Sequence, residues 1–150
     1  MKCAFSALIF LILVYGCGDQ PDNHVEAEEG ITHLTLMNTE WKLIRLQTGD
    51  LTQTEVIDNQ PTLNFNLEEL RAYGFGGCNQ YTGSFLIGED NSIEFSTVGS
   101  TKMACPEMGI EQAFYKHLEN VTSYEMDKDG QILILTNKGS EELLVFNPSE

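Results

Sequence analysis

A chain of 150 residues is a prior for one domain, and 41% hydrophobic with 21% charged residues lies near ordinary globular usage, which excludes wholesale disorder. Eight Lys and Arg against 23 Asp and Glu give a net charge of −15 and a pI near 4.3. That balance excludes a nucleic-acid binder, which needs a basic face to neutralise phosphate, and it disfavours electrostatic docking on anionic lipid.

The chain opens with MKCAFSALIFLILVYGC. Lys2 supplies a short positive segment, and Ala4 to Gly16 is a charge-free run of 13 residues. At a helical rise that run spans about 20 Å, short of a hydrocarbon core of about 30 Å. A secretory signal fits it better than a membrane span. The run ends at Val14-Tyr15-Gly16-Cys17, with a small residue before the Cys and an aliphatic one three places before it. This resembles a bacterial lipobox, although Tyr15 is bulkier than the usual residue there. Residues 1–16 are therefore read as a lipoprotein signal peptide, and Cys17 as the acylated first residue of the mature chain. The alternatives are a soluble secreted protein cut nearby and an uncleaved anchor. Two or more acyl chains hold a protein stably at a membrane, where one does so only marginally.

Residues 17–30 then read as the lipidated Cys and an acidic tether. GDQPDNHVEAEEG holds five acidic residues and no basic one, too little apolar surface to order itself. Gly18 after Cys17 gives no inner-membrane retention signal of the common Asp type. The expected place is the outer membrane, on its periplasmic or its surface face.

Residues 31–150 are the expected domain. Around Trp41 the alternation runs Trp41, Leu43, with Ile44 breaking the period before Leu46. Thr62 to Leu67 alternates strictly, putting Leu63, Phe65 and Leu67 on one face. Arg71 to Gly76 and Tyr81 to Ile87 flank a turn-rich GGCNQ stretch. In Ser92 to Val98, Ile93, Phe95 and Thr97 share a face and Val98 falls out of phase. Ile110, Ala113, Phe114, His117, Leu118 and Val121 repeat at helical spacing, and Glu111, Gln112, Lys116, Glu119 and Asn120 fall elsewhere on the wheel. Ile132 to Leu135 and Leu143 to Phe146 are apolar runs around an Asn-Lys-Gly turn signal, which predicts a hairpin. The patterns predict an α+β fold: a small antiparallel, barrel-like sheet of about seven or eight strands with one packed helix near 108–121.

Cys3 leaves with the signal and Cys17 takes lipid, so Cys78 and Cys105 remain. Outside the cytoplasm such a pair is most simply a disulfide, worth about 3.6 kcal/mol in the chain-entropy model; the alternative is two buried thiols. A zinc site or a redox pair lacks the close Cys-x-x-Cys spacing, and the only histidines are His24, His33 and His117.

Gly77-Cys78-Asn79-Gln80-Tyr81-Thr82-Gly83 resembles the GCNxYxG motif of the META domain, the HslJ-like envelope lipoprotein family. Thr101-Lys102-Met103-Ala104-Cys105-Pro106 resembles its TxMAC motif. Glu111 and Phe114 match the helix that follows, Leu36 with Trp41 and Leu43 the opening strand, and Pro61 to Phe65 the second. The resemblance spans about residues 34–147 and rests on two ordered motifs. It implies a small β-rich, barrel-like sheet with a helix, likened to pilotin lipoproteins. It also implies an envelope association with heat shock and antibiotic tolerance in bacteria, and with virulence and secretion in a eukaryotic branch. It supplies no catalytic residue.

Read from the residues themselves, the motif is mainly structural. Gly74, Gly76, Gly77 and Gly83 suit a tight strand connection, and Asn79 suits a turn. Tyr81 is expected to bury its ring, Met103 to fill a core gap, and Thr101 to bond locally to backbone; Ala104 completes the second motif. His117 reads as a packed or boundary histidine. No nucleophile elbow is present, and Glu68-Glu69, Glu89-Asp90 and Glu141-Glu142 read as turn charges. Asp127-Lys128-Asp129-Gly130 lacks the remaining ligands of a calcium loop and reads as a turn. No catalytic, metal or cofactor residue is assigned. The expected function is a non-enzymatic envelope lipoprotein that binds a protein partner or an amphiphile in envelope stress or homeostasis. The alternative is a carrier of a lipid or other small amphiphile in a barrel cavity, and a carboxylate-dependent hydrolase is more remote.

Overall fold

The structure is a computed structural model that describes residues 35–48, 51–53, 59–106 and 108–149. The signal peptide, Cys17, the tether, His24 and His33 lie outside the described residues. The strands are β1 (Trp41–Thr48), β2 (Leu51–Gln53), β3 (Thr62–Asn66), β4 (Arg71–Phe75), β5 (Gln80–Ile87), β6 (Ile93–Phe95), β7 (Gly99–Ser100), β8 (Ser123–Met126), β9 (Leu133–Thr136) and β10 (Glu142–Pro148). The helix α1 covers Gly109–Leu118, and residues 35–37 form a further helical turn.

Eight strands follow one antiparallel path, β6-β5-β4-β3-β1-β10-β9-β8, with β2 beside β1 and β7 beside β5. The two ends of the path meet. Ser92 bridges Ser123. The Ile93 amide donates to the Thr122 carbonyl at 3.1 Å, and the Tyr124 amide to the Asn91 carbonyl at 3.0 Å. The result is a nearly closed antiparallel barrel, the α+β class expected from the patterns.

Local sequence explains the register. The phase break at Ile44 is a β-bulge: the pairing of β1 with β10 shifts between Leu43 and Arg45, which returns Leu46 to the interior. A second shift, between Glu142 and Leu144, lets both Leu143 and Leu144 reach the core. The hairpin of β9 and β10 is closed by Asn137, whose Oδ1 accepts from the Gly139 amide at 2.8 Å and the Glu141 amide at 3.1 Å.

Three expectations are corrected. Leu36 is not in the opening strand; it lies in the helical turn at 35–37 and is fully buried. Its carbonyl accepts from Trp41 Nε1 at 2.9 Å, which satisfies the buried indole. Leu67 is 48% exposed, because β3 ends at Asn66 and the chain turns. The strand expected over 92–98 stops at Phe95, leaving Thr97 exposed. Beyond that point Ser96 Oγ takes the Ser84 amide at 2.9 Å.

The barrel is filled by side chains. Phe65 stacks edge-on against Phe85 with ring centres 5.1 Å apart, and Phe95 lies 6.1 Å from Phe65. From α1, Phe114 sits 5.5 Å from the Tyr81 ring and 6.4 Å from Phe146. Trp41, Leu43, Leu63, Leu133, Leu135 and Leu144 complete the same cluster. Replacing Trp41 by Ala deletes a fully buried side chain and a buried hydrogen bond. Its expected cost is about 3–5 kcal/mol, read as a lower urea midpoint at unchanged slope.

Candidate functional site

The two motifs and the first turn of α1 meet at one end of the barrel, and Asn79 is their centre. It follows the turn between β4 and β5, where Gly77 takes φ +110°, a conformation that favours glycine. A Cβ on neighbouring Gly76 would overlap the Tyr115 hydroxyl of α1. The turn therefore approaches the helix closely because two glycines let it.

Asn79 is buried and its side chain is saturated. Its Oδ1 accepts from Thr101 Oγ1 at 2.8 Å and from the Met103 amide at 2.7 Å. Its Nδ2 donates to Glu111 Oε1 at 2.9 Å and to the Met103 carbonyl at 3.5 Å. Two acceptances and two donations use the whole capacity of a side-chain amide. Glu111 is equally buried, at 3% exposure, and carries the opposite face of the node. Its Oε2 accepts from the Asn79 amide at 2.6 Å and the Cys78 amide at 3.2 Å. The Asn79 carbonyl in turn accepts from the Gly76 amide at 2.8 Å and the Tyr115 hydroxyl at 3.4 Å. Cys78 is joined to Cys105 with Cα atoms 6.1 Å apart, fastening the same two segments covalently.

Other motif residues spread outward. Tyr81 buries its ring and donates its hydroxyl to the Thr62 carbonyl at 2.8 Å. Gly83 lies in β5 opposite Ala72. Thr101 bonds not to local backbone but to Asn79, 22 residues away. Met103 does not fill the core: its side chain is 58% exposed, and only its backbone is used. Ala104 is also exposed. Glu111 corrects the helical wheel, which put it away from the apolar stripe. The turn of the motif folds over that side of α1, so the carboxylate is covered. The signal available for it was its place in the family's helix, not its polarity.

Electrostatics follow from burial. Tyr81 is held well above the usual phenol range by burial, with Tyr115 adding to it. Tyr115 is also raised, first by burial and then by the Glu111 charge, against a hydrogen bond with Ser100. His117 is half-buried at the rim of an open depression of about 630 Å³ that Lys116 and Lys138 also line. Burial lowers its pKa; a hydrogen bond to the Gln47 backbone opposes this and Lys116 reinforces it. The carboxylate pairs lie on exposed positions, with Glu141 bonded to Asn137 and Glu142 paired with Arg45. Asp127 closes its own turn, its Oδ1 accepting from the Gln131 and Ile132 amides at 2.6 and 2.8 Å.

The sequence model of the META domain matches residues 33–150. The chain belongs to the META domain family. This is not a known enzymatic family. Among solved structures, the NMR structure of a protein from Burkholderia xenovorans is 26% identical, with a TM-score of 0.63. The match covers 95% of this chain and 99% of that one. A second protein solved by NMR is 17% identical with a TM-score of 0.53, covering 76% of this chain and 92% of that one, and it shares the fold. No curated protein matches the chain.

Replacing Asn79 by Asp keeps the shape but removes both donors and sets a second carboxylate against Glu111. The expected cost is about 3 kcal/mol or more at neutral pH, partly recovered on acidification, as read by urea unfolding at both pH values. His117 gives a second expectation. Its folded pKa lies below its unfolded value, so the unfolded chain binds the proton first. Its contribution is complete above about pH 6.5 and is lost as pH falls from there towards the folded pKa. Unfolding measured across that window should show a smaller loss of stability for His117→Gln than for the parent.

Proposed function

We propose that this chain is a lipid-anchored, non-enzymatic interaction module of the bacterial cell envelope, held at the outer membrane through Cys17 and serving envelope homeostasis under stress. The observation that carries the reading is the saturation of the motif. Asn79 spends every side-chain hydrogen bond on Glu111, Thr101 and Met103. The motif thus builds the fold, and binding falls to the outer surface. The lipobox-like Val14-Tyr15-Gly16-Cys17 and the acidic tether support the anchored location. The META domain supports the envelope-stress role through its resemblance to stress-linked lipoproteins.

The rival readings have less behind them. A carrier needs a cavity of at least about 300 Å³, whereas Trp41, Phe65, Phe85, Phe114 and Phe146 occupy the barrel interior. A hydrolase needs converging carboxylates, whereas Glu68, Glu69, Glu89 and Asp90 stand on exposed turns.

Intact-mass analysis of the envelope form should give a chain that starts at Cys17 and carries lipid. An unmodified start at another residue would overturn the anchored reading. Crosslinking in native envelope tests the module, and a chain that captures no partner from any face would overturn it.

A further inference from the structure

Five large apolar side chains are exposed among the described residues, and three of them, Leu67, Leu70 and Leu86, gather at one corner. Leu67 and Leu70 bracket the turn from β3 to β4. The Leu70 carbonyl accepts from the Phe85 amide at 3.0 Å, which brings that turn beside Leu86 on β5. Their exposures are 48%, 42% and 65%. Next to Leu86, an apolar depression of about 320 Å³ opens between β5 and β6, with Glu94 and Ser96 on its wall.

Apart from Arg71, the charged side chains around these leucines are acidic. Glu68 and Glu69 sit between Leu67 and Leu70, Glu89 and Asp90 lie in the turn after β5 at the same end of the strands, and Glu94 pairs with Leu86 across β5 and β6. The nearby cation, Arg71, is turned away, its Nε and Nη2 donating to Thr82 Oγ1 at 3.2 and 3.0 Å. Leu70 also holds φ +50°, a left-handed conformation that a Cβ disfavours.

We propose that this corner docks a basic amphipathic peptide segment of a partner protein, its apolar side chains on Leu67, Leu70 and Leu86 and its cations on Glu68, Glu69, Glu89, Asp90 and Glu94. Charge complementarity selects the occupant. A second copy of this chain brings −15, and the segment before the domain brings Asp19, Asp22, Glu26, Glu28 and Glu29, so both are repelled. An anionic lipid surface is repelled for the same reason. The inference rests on the interaction-module reading and names the partner's chemistry.

The test uses the full chain in phosphatidylcholine nanodiscs, with empty nanodiscs as the blank. The probe is a short labelled peptide of lysine and leucine, followed by fluorescence anisotropy. The parent should bind it, and raising the salt should weaken binding. Leu70→Gly removes the side chain and relieves the backbone, so its urea midpoint should hold or rise while binding weakens about tenfold or more. Leu86→Ser should weaken binding similarly. Failure of the parent to bind, variants that bind equally well, or preference for anionic phosphatidylglycerol vesicles over the peptide would each overturn the proposal. Photo-crosslinking in native envelope from position 86 and from position 102 separates the two readings. Capture from position 102 alone would overturn this corner and leave the module; capture from no position would overturn both.

Discussion

The fold turns on the buried Glu111 carboxylate, beside which no buried cation stands among the described residues. Glu111 is offset by amide donors: the backbone of Cys78 and Asn79, and the Asn79 side chain. Burying such a group is costly unless its oxygens are hydrogen-bonded, so the donors must arrive together. They do so only if the turn after β4 lies on the first turn of α1, and if Asn79 is itself held by Thr101 and Met103. Once α1 is placed, Phe114 and Leu118 enter the barrel as its closing layer. The disulfide ties the same segments a second time, by about 3.6 kcal/mol in the chain-entropy model. Because both devices fasten one junction, their contributions should couple rather than add.

This arrangement explains why a motif rich in polar residues does not make an open polar site. Asn79, the Glu111 carboxylate and the Thr101 hydroxyl point at one another. Met103 takes part through its amide and carbonyl, which any residue but proline can supply, while its side chain faces outward. Tyr81 and Tyr115 lie ring against ring at 5.4 Å, and both phenols are pushed upward first by burial. Their hydroxyls therefore act as neutral hydrogen-bond donors, to the Thr62 and Asn79 carbonyls respectively.

What was legible in the sequence is what period alone decides. The alternation of Leu63 and Phe65, the helical spacing of Phe114 and Leu118, and the paired apolar runs before and after Asn137 each report one buried face. Even the broken phase at Ile44 was a true signal, since a bulge is a broken phase. Three features were not legible because turns and contacts outside the periodic pattern decide them. Leu36 sits in a helical turn whose carbonyl takes the indole N–H of Trp41, five residues on. Leu67 continues the alternation but falls after the last ladder pair of β3, so it turns outward. Glu111 looks like a surface residue on any wheel, because the turn that covers it lies 32 residues upstream.

The same topology gives the barrel two distinct ends. The motif node occupies the end where β4 turns into β5. The turns after β3, β5 and β8 lie at the other end, and Thr35, where the described domain begins, packs by Gly130 in the last of them. Leu67, Leu70 and Leu86 lie at that same end, on and beside the turns after β3 and β5. A basic segment docked there would meet the end of the barrel opposite the Asn79 node, so substitutions at Leu70 or Leu86 leave untouched the hydrogen bonds that place α1.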